Sequence, residues 1–263
     1  MISELPANAQ VFFLIFARVL ALVETAPLLS SESVPQIAKV ALAFFASFLV
    51  FPWVQAAGYP IPELGLDYAL LALGEALIGV LIGFFLILVY SVFQLAGQFY
   101  SLQMGFGASE VFDPLAQIEI PIVGQFLNLV AMLIFLLVGG FQKVFLTGVY
   151  RSFEAMRAVD LVIYRNDIIR MTLLGMTRLF EQSLVISFPI LGILFLVSVT
   201  TGLLAKASPQ MNLLTLGFPI SIGTAFIVLF LMLPILAETF SAIIDYGFAE
   251  LLRLFSSIWE LRT

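Results

Sequence analysis

Glu75 has the clearest capacity for chemistry in an apolar surrounding. It stands in Gly74-Glu75-Ala76-Leu77-Ile78-Gly79-Val80-Leu81-Ile82-Gly83, at the head of a charge-free run. An acid at mid-membrane costs on the order of 3 kcal/mol on insertion scales. It must carry a proton, hold an ion, or be satisfied by a neighbour; the last is expected here, a carboxylate near a helix end met by another residue or by water. Arg18 and Glu24 interrupt a second apolar stretch. At ~100° per residue they point about 240° apart on one helix and cannot pair with each other. Each therefore needs another helix or chain, or snorkels toward an interface. Arg18, Glu24 and Glu75 are the candidate buried polar residues.

Covalent chemistry has little to work with. The chain has no His and no Cys, which removes the usual zinc ligands, thiolate nucleophiles, disulfides, haem ligation and every Ser-His or Cys-His pair. Asp113, beside Pro114, is a conceivable catalytic carboxylate, but no second acid is positioned to make a dyad. The chain is expected not to be an enzyme and to carry no metal or cofactor. A net charge of −6 with scattered basic residues argues against a nucleic-acid partner, which requires clustered Lys and Arg.

Two loops are unusual. In Gln103-Met104-Gly105-Phe106-Gly107-Ala108-Ser109-Glu110-Val111-Phe112-Asp113-Pro114, the glycines and the Asp-Pro step stop a regular helix. Met104, Phe106, Val111 and Phe112 are nevertheless large and apolar. Such a loop suits a constriction, a plug or a partner contact, or it folds back on its own helices. The second loop, Lys206-Ala207-Ser208-Pro209-Gln210-Met211-Asn212, runs into Leu213-Leu214-Thr215-Leu216-Gly217-Phe218-Pro219-Ile220. It reads as a tight helical hairpin: Lys206 complements the end of one helix dipole, and Gln210 and Asn212 can satisfy exposed backbone groups.

The elements that must position these residues are apolar helices. Hydrophobic residues make up 62% of 263 and charged residues 11%, with a mean hydropathy of +1.14; soluble domains carry about 25% charge. Residues 40–62, 76–109, 120–142, 182–205 and 207–237 contain no charge, and each exceeds the ~20 residues that cross a bilayer core. With 9–29, broken only by Arg18 and Glu24, they predict six long apolar helices in one all-α, polytopic subunit spanning 1–263. Pro121, Pro189, Pro219 and Pro234 lie at or within the runs, where a missing N–H and a ring clash kink or end a helix. Phe-Pro-Ile occurs at 188–190 and 218–220, compatible with two related hairpins. Gly79 and Gly83 have the spacing of close helix packing.

Two segments are amphipathic. Residues 150–181 mix Arg151, Glu154, Arg157, Asp160, Arg165, Asp167, Arg170, Arg178 and Glu181 with apolar residues, and with Lys143 hold six of the eleven basic residues. This polar part, 143–181, predicts a helical pair that the positive-inside rule places in the cytoplasm, together with both termini by parity. Residues 238–263 place Phe240, Ile243, Ile244, Phe248, Leu251, Leu252 and Phe255 at helical spacing. They predict a C-terminal helix lying on the membrane, on a partner or on the protein itself. The first residues, Met-Ile-Ser-Glu-Leu-Pro, carry no basic stretch and are not expected to be a cleaved signal.

Met104 to Pro114 with Pro121, together with Lys206 to Ile220, closely resembles the FliR family of flagellar biosynthetic proteins, homologous to the injectisome export-gate subunits. Pro27…Val34-Pro35…Lys39 and Gly74-Glu75…Gly79 fit the same pattern, so the resemblance covers nearly the whole chain. Members often carry a Gly-His step where this chain has Gly139-Gly140-Phe141-Gln142, so no role is carried over for that histidine.

The resemblance implies a structural subunit that joins FliP and FliQ in a helical, pore-forming gate of the flagellar basal body in the bacterial inner membrane. Unfolded flagellar subunits cross that gate with the help of FlhA, FlhB and an ATPase complex. It further implies that Phe106 to Pro114 help plug the pore, that Lys206, Pro209, Gln210, Asn212, Gly217 and Pro219 form an assembly hairpin, and that the helices lie largely at or above the membrane plane, with membrane lipid as a further contact. The competing expectation is a secondary transporter or ion channel. Arg18, Glu24, Lys39 and Glu75 would then have to supply the ionisable groups such proteins gather at the midplane.

Overall fold

The computed structural model describes residues 5–62, 65–105, 122–208 and 213–262. Among them every regular element is helical: α1 (Leu5–Thr25), α2 (Gln36–Ala56), α3 (Gly65–Met104), α4 (Ile122–Leu137), α5 (Gly140–Lys143), a π-helical stretch (Val144–Arg151), α6 (Ser152–Ala155), α7 (Asp160–Ile163), α8 (Arg165–Ala207) and α9 (Leu213–Arg262). Five helices are long and apolar enough to cross a membrane, or six if α4 and its bent continuation are counted as one span. The residues group into two compact units, Met1–Val89 with Gly139–Met176 and Ile244–Thr263, and Tyr90–Val138 with Thr177–Ile243.

In the first unit, α1 and α2 form an antiparallel hairpin tied at both ends. Lys39 Nζ lies 3.5 Å from Glu24 and donates to the Ser30 carbonyl at 3.1 Å, while Gln55 donates to Asn8 at the far end at 2.8 Å. Ala43, Ala46 and Ser47 make the buried face of α2, and Phe12 of α1 meets Phe44 and Phe51 edge-on at 5.3 and 6.1 Å. α3 approaches α1 through glycine. A Cβ on Gly79 would lie 2.2 Å from the Arg18 carbonyl oxygen, and one on Gly83 1.9 Å from Thr25 Oγ1. The four-residue glycine spacing thus lets two backbones meet where any side chain would hold them apart.

The second unit repeats the device. A Cβ on Gly97 of α3 would lie 2.4 Å from Gly124 Cα of α4. Hydroxyls add specificity: the half-buried Tyr90 donates to the Asn128 carbonyl, and the buried Tyr100 and Ser183 donate to the Ile186 and Val92 carbonyls, all at 2.9–3.0 Å.

Breaks and continuities fall differently from the proline pattern. Pro52, Pro189, Pro219 and Pro234 lie inside helices that continue through them. Ending a helix orphans about four N–H or carbonyl groups, whereas one proline removes a single rung and adds a clash of about 3 kcal/mol. In an apolar surrounding, continuing is the smaller cost. The break comes instead at Gly139, left-handed at φ 71°, between α4 and α5. Pro121 lies outside the described residues. The polar segment 150–181 is two short helices followed by the first half of α8, and the C-terminal amphipathic stretch is continuous with the apolar run before it, making one helix of 50 residues.

Candidate functional site

The first unit holds a buried ion pair at the junction of three segments. Arg18 on α1 is 1% exposed and Glu75 on α3 is not exposed at all. The Arg18 Nε donates to Glu75 Oε2 at 2.6 Å, and Nη2 lies 2.5 Å from the same oxygen. Every guanidinium nitrogen is engaged: Nη1 donates to Ser152 Oγ at 3.2 Å and Nη2 also to the Met156 carbonyl at 2.8 Å. The guanidinium carbon sits 3.9 Å from the centroid of the Phe153 ring. Glu75 Oε1 accepts the Ala158 N–H at 3.0 Å and the Tyr59 hydroxyl.

The pair repairs a broken backbone. α6 ends at Met156, which is extended at φ −139° and ψ 133°, and a new turn begins two residues later. Such a break leaves a carbonyl free on one side and an N–H free on the other. Arg18 takes the Met156 carbonyl at the negative end of α6; Glu75 takes the Ala158 N–H at the positive end of the next turn. Asp160 Oδ2 takes the Arg157 N–H at 2.7 Å. Each charge faces the complementary helix end, and the cluster is satisfied throughout. Gly74 permits the approach, since a Cβ there would lie 2.6 Å from Ala158 Cβ.

Tyr59 covers the cluster from the loop after α2. Burial, and next the adjacent Glu75 carboxylate, push its phenol well above the ordinary tyrosine range. It therefore stays a hydrogen-bond donor. Arg157 stacks over its ring at 5.4 Å and donates to the Gly58 carbonyl at 3.2 Å.

The other expected site residues are dispersed. Glu24 pairs with Lys39 at the connected end of the hairpin and keeps 31% of its side chain exposed. Met104 is buried at the end of α3, followed by Gly105 at φ 92°. Phe106, Val111, Phe112, Asp113 and Pro114 lie outside the described residues, as do Pro209, Gln210 and Asn212. Lys206 is exposed near the end of α8. Gly217 has open space around it, and Pro219 is exposed within α9. Sequence reasoning did not find Tyr59, Ser152, Phe153 and Ala158, because nothing local marks them: Tyr59 and Ala158 lie 16 and 83 residues from Glu75, and Ser152 reaches Arg18 across 134 residues with Phe153 next to it.

Large apolar side chains lie uncovered along whole helices. On α8 they include Ile169, Leu173 and Phe180 in the polar half, and Phe188, Phe195 and Leu203 beyond it. On α9 they run from Ile220 through Phe230 and Ile235 to Leu252. At ~1.5 Å per residue, the 40, 43 and 50 residues of α3, α8 and α9 extend ~60, ~64 and ~75 Å. A hydrocarbon core is ~30 Å thick, so a bilayer covers only part of each.

Residues 9–246 match the family model described as bacterial export proteins, family 1. The chain is 34% identical over 204 residues to the flagellar biosynthetic protein FliR of Borreliella burgdorferi, covering 76% of each chain. It is 31% identical to FliR of Bacillus subtilis over 86% of each. With FliR of Escherichia coli it shares 27% identity over 94% of this chain and 92% of the relative.

Proposed function

The chain belongs to the FliR family of bacterial export proteins, a non-enzymatic membrane family, and from that premise we propose that it is a structural, pore-forming subunit of the flagellar protein export gate. It assembles with FliP and FliQ in the basal body of the inner membrane, beside FlhA and FlhB, and serves the passage of unfolded flagellar subunits. The observation that carries this reading is the mismatch between helix length and bilayer thickness. Helices of ~60 to ~75 Å that present large apolar side chains along their length need protein to cover what lipid cannot reach.

The segment Met104 to Pro114 contributes to the plug of the pore, with Phe106, Val111 and Phe112 as its bulky apolar part; the family resemblance and the composition of the loop support this. Lys206, Pro209, Gln210, Asn212, Gly217 and Pro219 serve the hairpin that docks in the assembly.

Co-expression with FliP and FliQ, mild detergent extraction and native mass spectrometry test the assembly. One large, defined hetero-oligomer containing this chain is expected. A stable monomer or homodimer recovered in the presence of both sisters overturns the proposal.

A further inference from the structure

We propose that the outward face of α2 is a lipid-contacting surface of the protein, covered by phospholipid acyl chains, with the edges of the hydrocarbon core at Gln36 and Gln55. Length is the first reason. α2 has 21 residues, about 31 Å of helix, which matches a ~30 Å core where α3, α8 and α9 overshoot it about twofold.

The second reason is how side-chain size is sorted. Helices that pack on protein within a membrane place small residues at the contact. Along the middle of α2 the small residues Ala43, Ala46 and Ser47 face inward and are buried, whereas Phe45, Phe48 and Leu49 face outward, Phe45 at 66% and Leu49 at 79% exposure; the exposed small residues Ala38 and Ala56 lie toward its ends. Between Ile37 and Pro52 every exposed residue is apolar. A second protein docking here would meet bulky, projecting rings and no small-residue seam.

The third reason is the disposition of charge. Lys39, the one ionisable residue of α2, is turned inward to Glu24 and the Ser30 carbonyl and is 5% exposed. Arg18 of the hairpin partner α1 is turned away and consumed by Glu75. Polar residues mark the two ends: Ser31, Glu32, Ser33 and Gln36 at one, Gln55 at the other, all exposed. Hydrocarbon imposes this pattern, because an unpaired charge in it is costly. α8 by contrast opens with Arg165, Asp167 and Arg170 exposed, and no lipid contact is assigned to it. The contact stands whether or not FliP and FliQ are the partners that cover the other faces.

The absence of cysteine makes single nitroxide labels unambiguous. Phe45→Cys and Leu49→Cys report the outward face, Ala46→Cys the inward face, and Gln36→Cys and Gln55→Cys the edges. They are labelled in membranes from cells co-expressing FliP and FliQ. Collision with oxygen and with a water-soluble nickel chelate is read by electron paramagnetic resonance. Positions 45 and 49 are expected to show oxygen access several-fold above nickel access, position 46 low access to both, and positions 36 and 55 predominant nickel access. Low oxygen access at 45 and 49 places protein over the face, and high nickel access places water there; either overturns the proposal. If FliP and FliQ fail to co-purify while the oxygen pattern persists, the lipid contact is supported and the assembly fails separately.

Discussion

Arg18 and Glu75 are 57 residues apart in the chain, yet the arginine Nε donates to the glutamate from 2.6 Å in a site closed to solvent. Their bond joins α1 to α3, and their remaining valences hold the broken backbone at 156–158. A buried pair of this kind stabilises little against an apolar replacement but is costly to break from one side. Its consequence here is positional: the two side chains together fix the 152–158 segment by satisfying the Met156 carbonyl and the Ala158 N–H.

Arg18→Met and Glu75→Leu are each expected to destabilise the protein by ~3–5 kcal/mol, because each leaves an opposite charge buried without a partner. The double variant is expected to lose clearly less than the sum. Denaturant titration in a fixed detergent measures both. Additive losses would show that the two side chains act independently.

Glycines divide into two classes. Gly79→Ala drives a methyl into the Arg18 carbonyl oxygen, 2.2 Å away, and is expected to cost ~1–3 kcal/mol as overpacking. Gly202→Ala meets nothing within 4 Å and is expected to be neutral or to gain up to ~1 kcal/mol of helix propensity. Melting temperatures of the two variants, read side by side, check the contrast.

Tyr59 makes stability fall at alkaline pH. Its folded pKa lies above the ordinary value of 10.0, so above pH ~10 the unfolded chain releases a proton that the folded protein keeps. The tyrosine's contribution is complete below that pH and is lost as pH rises toward the folded value, at up to ~1.4 kcal/mol per pH unit. Unfolding free energies at pH 9 and 11 should therefore fall less for Tyr59→Phe than for the wild type. Equal slopes would remove Tyr59 from the account.

Replacing Phe106, Val111 and Phe112 together by Ala is expected to raise ion leakage through the assembled gate. Conductance of the reconstituted hetero-oligomer in planar bilayers measures it. An unchanged closed-state conductance would exclude these side chains from the seal.

The sequence by itself determined the class of the protein. Composition, the charge-free runs and the absence of His and Cys were enough for an all-helical membrane protein outside the usual catalytic families, because apolar periodicity and residue inventory are local properties. The spacing of Gly79 and Gly83 pointed to a close contact without naming the partner helix. Tertiary structure decided the rest. That Arg18 meets Glu75, and Lys39 meets Glu24, depends on how α1, α2 and α3 pack, and at helical spacing an isolated charge carries no record of its partner. The continuity of α8 and α9 through their prolines was likewise decided by surroundings. Proline's penalty is a local, fixed quantity, whereas the cost of ending a helix depends on whether water, lipid or protein receives the exposed backbone.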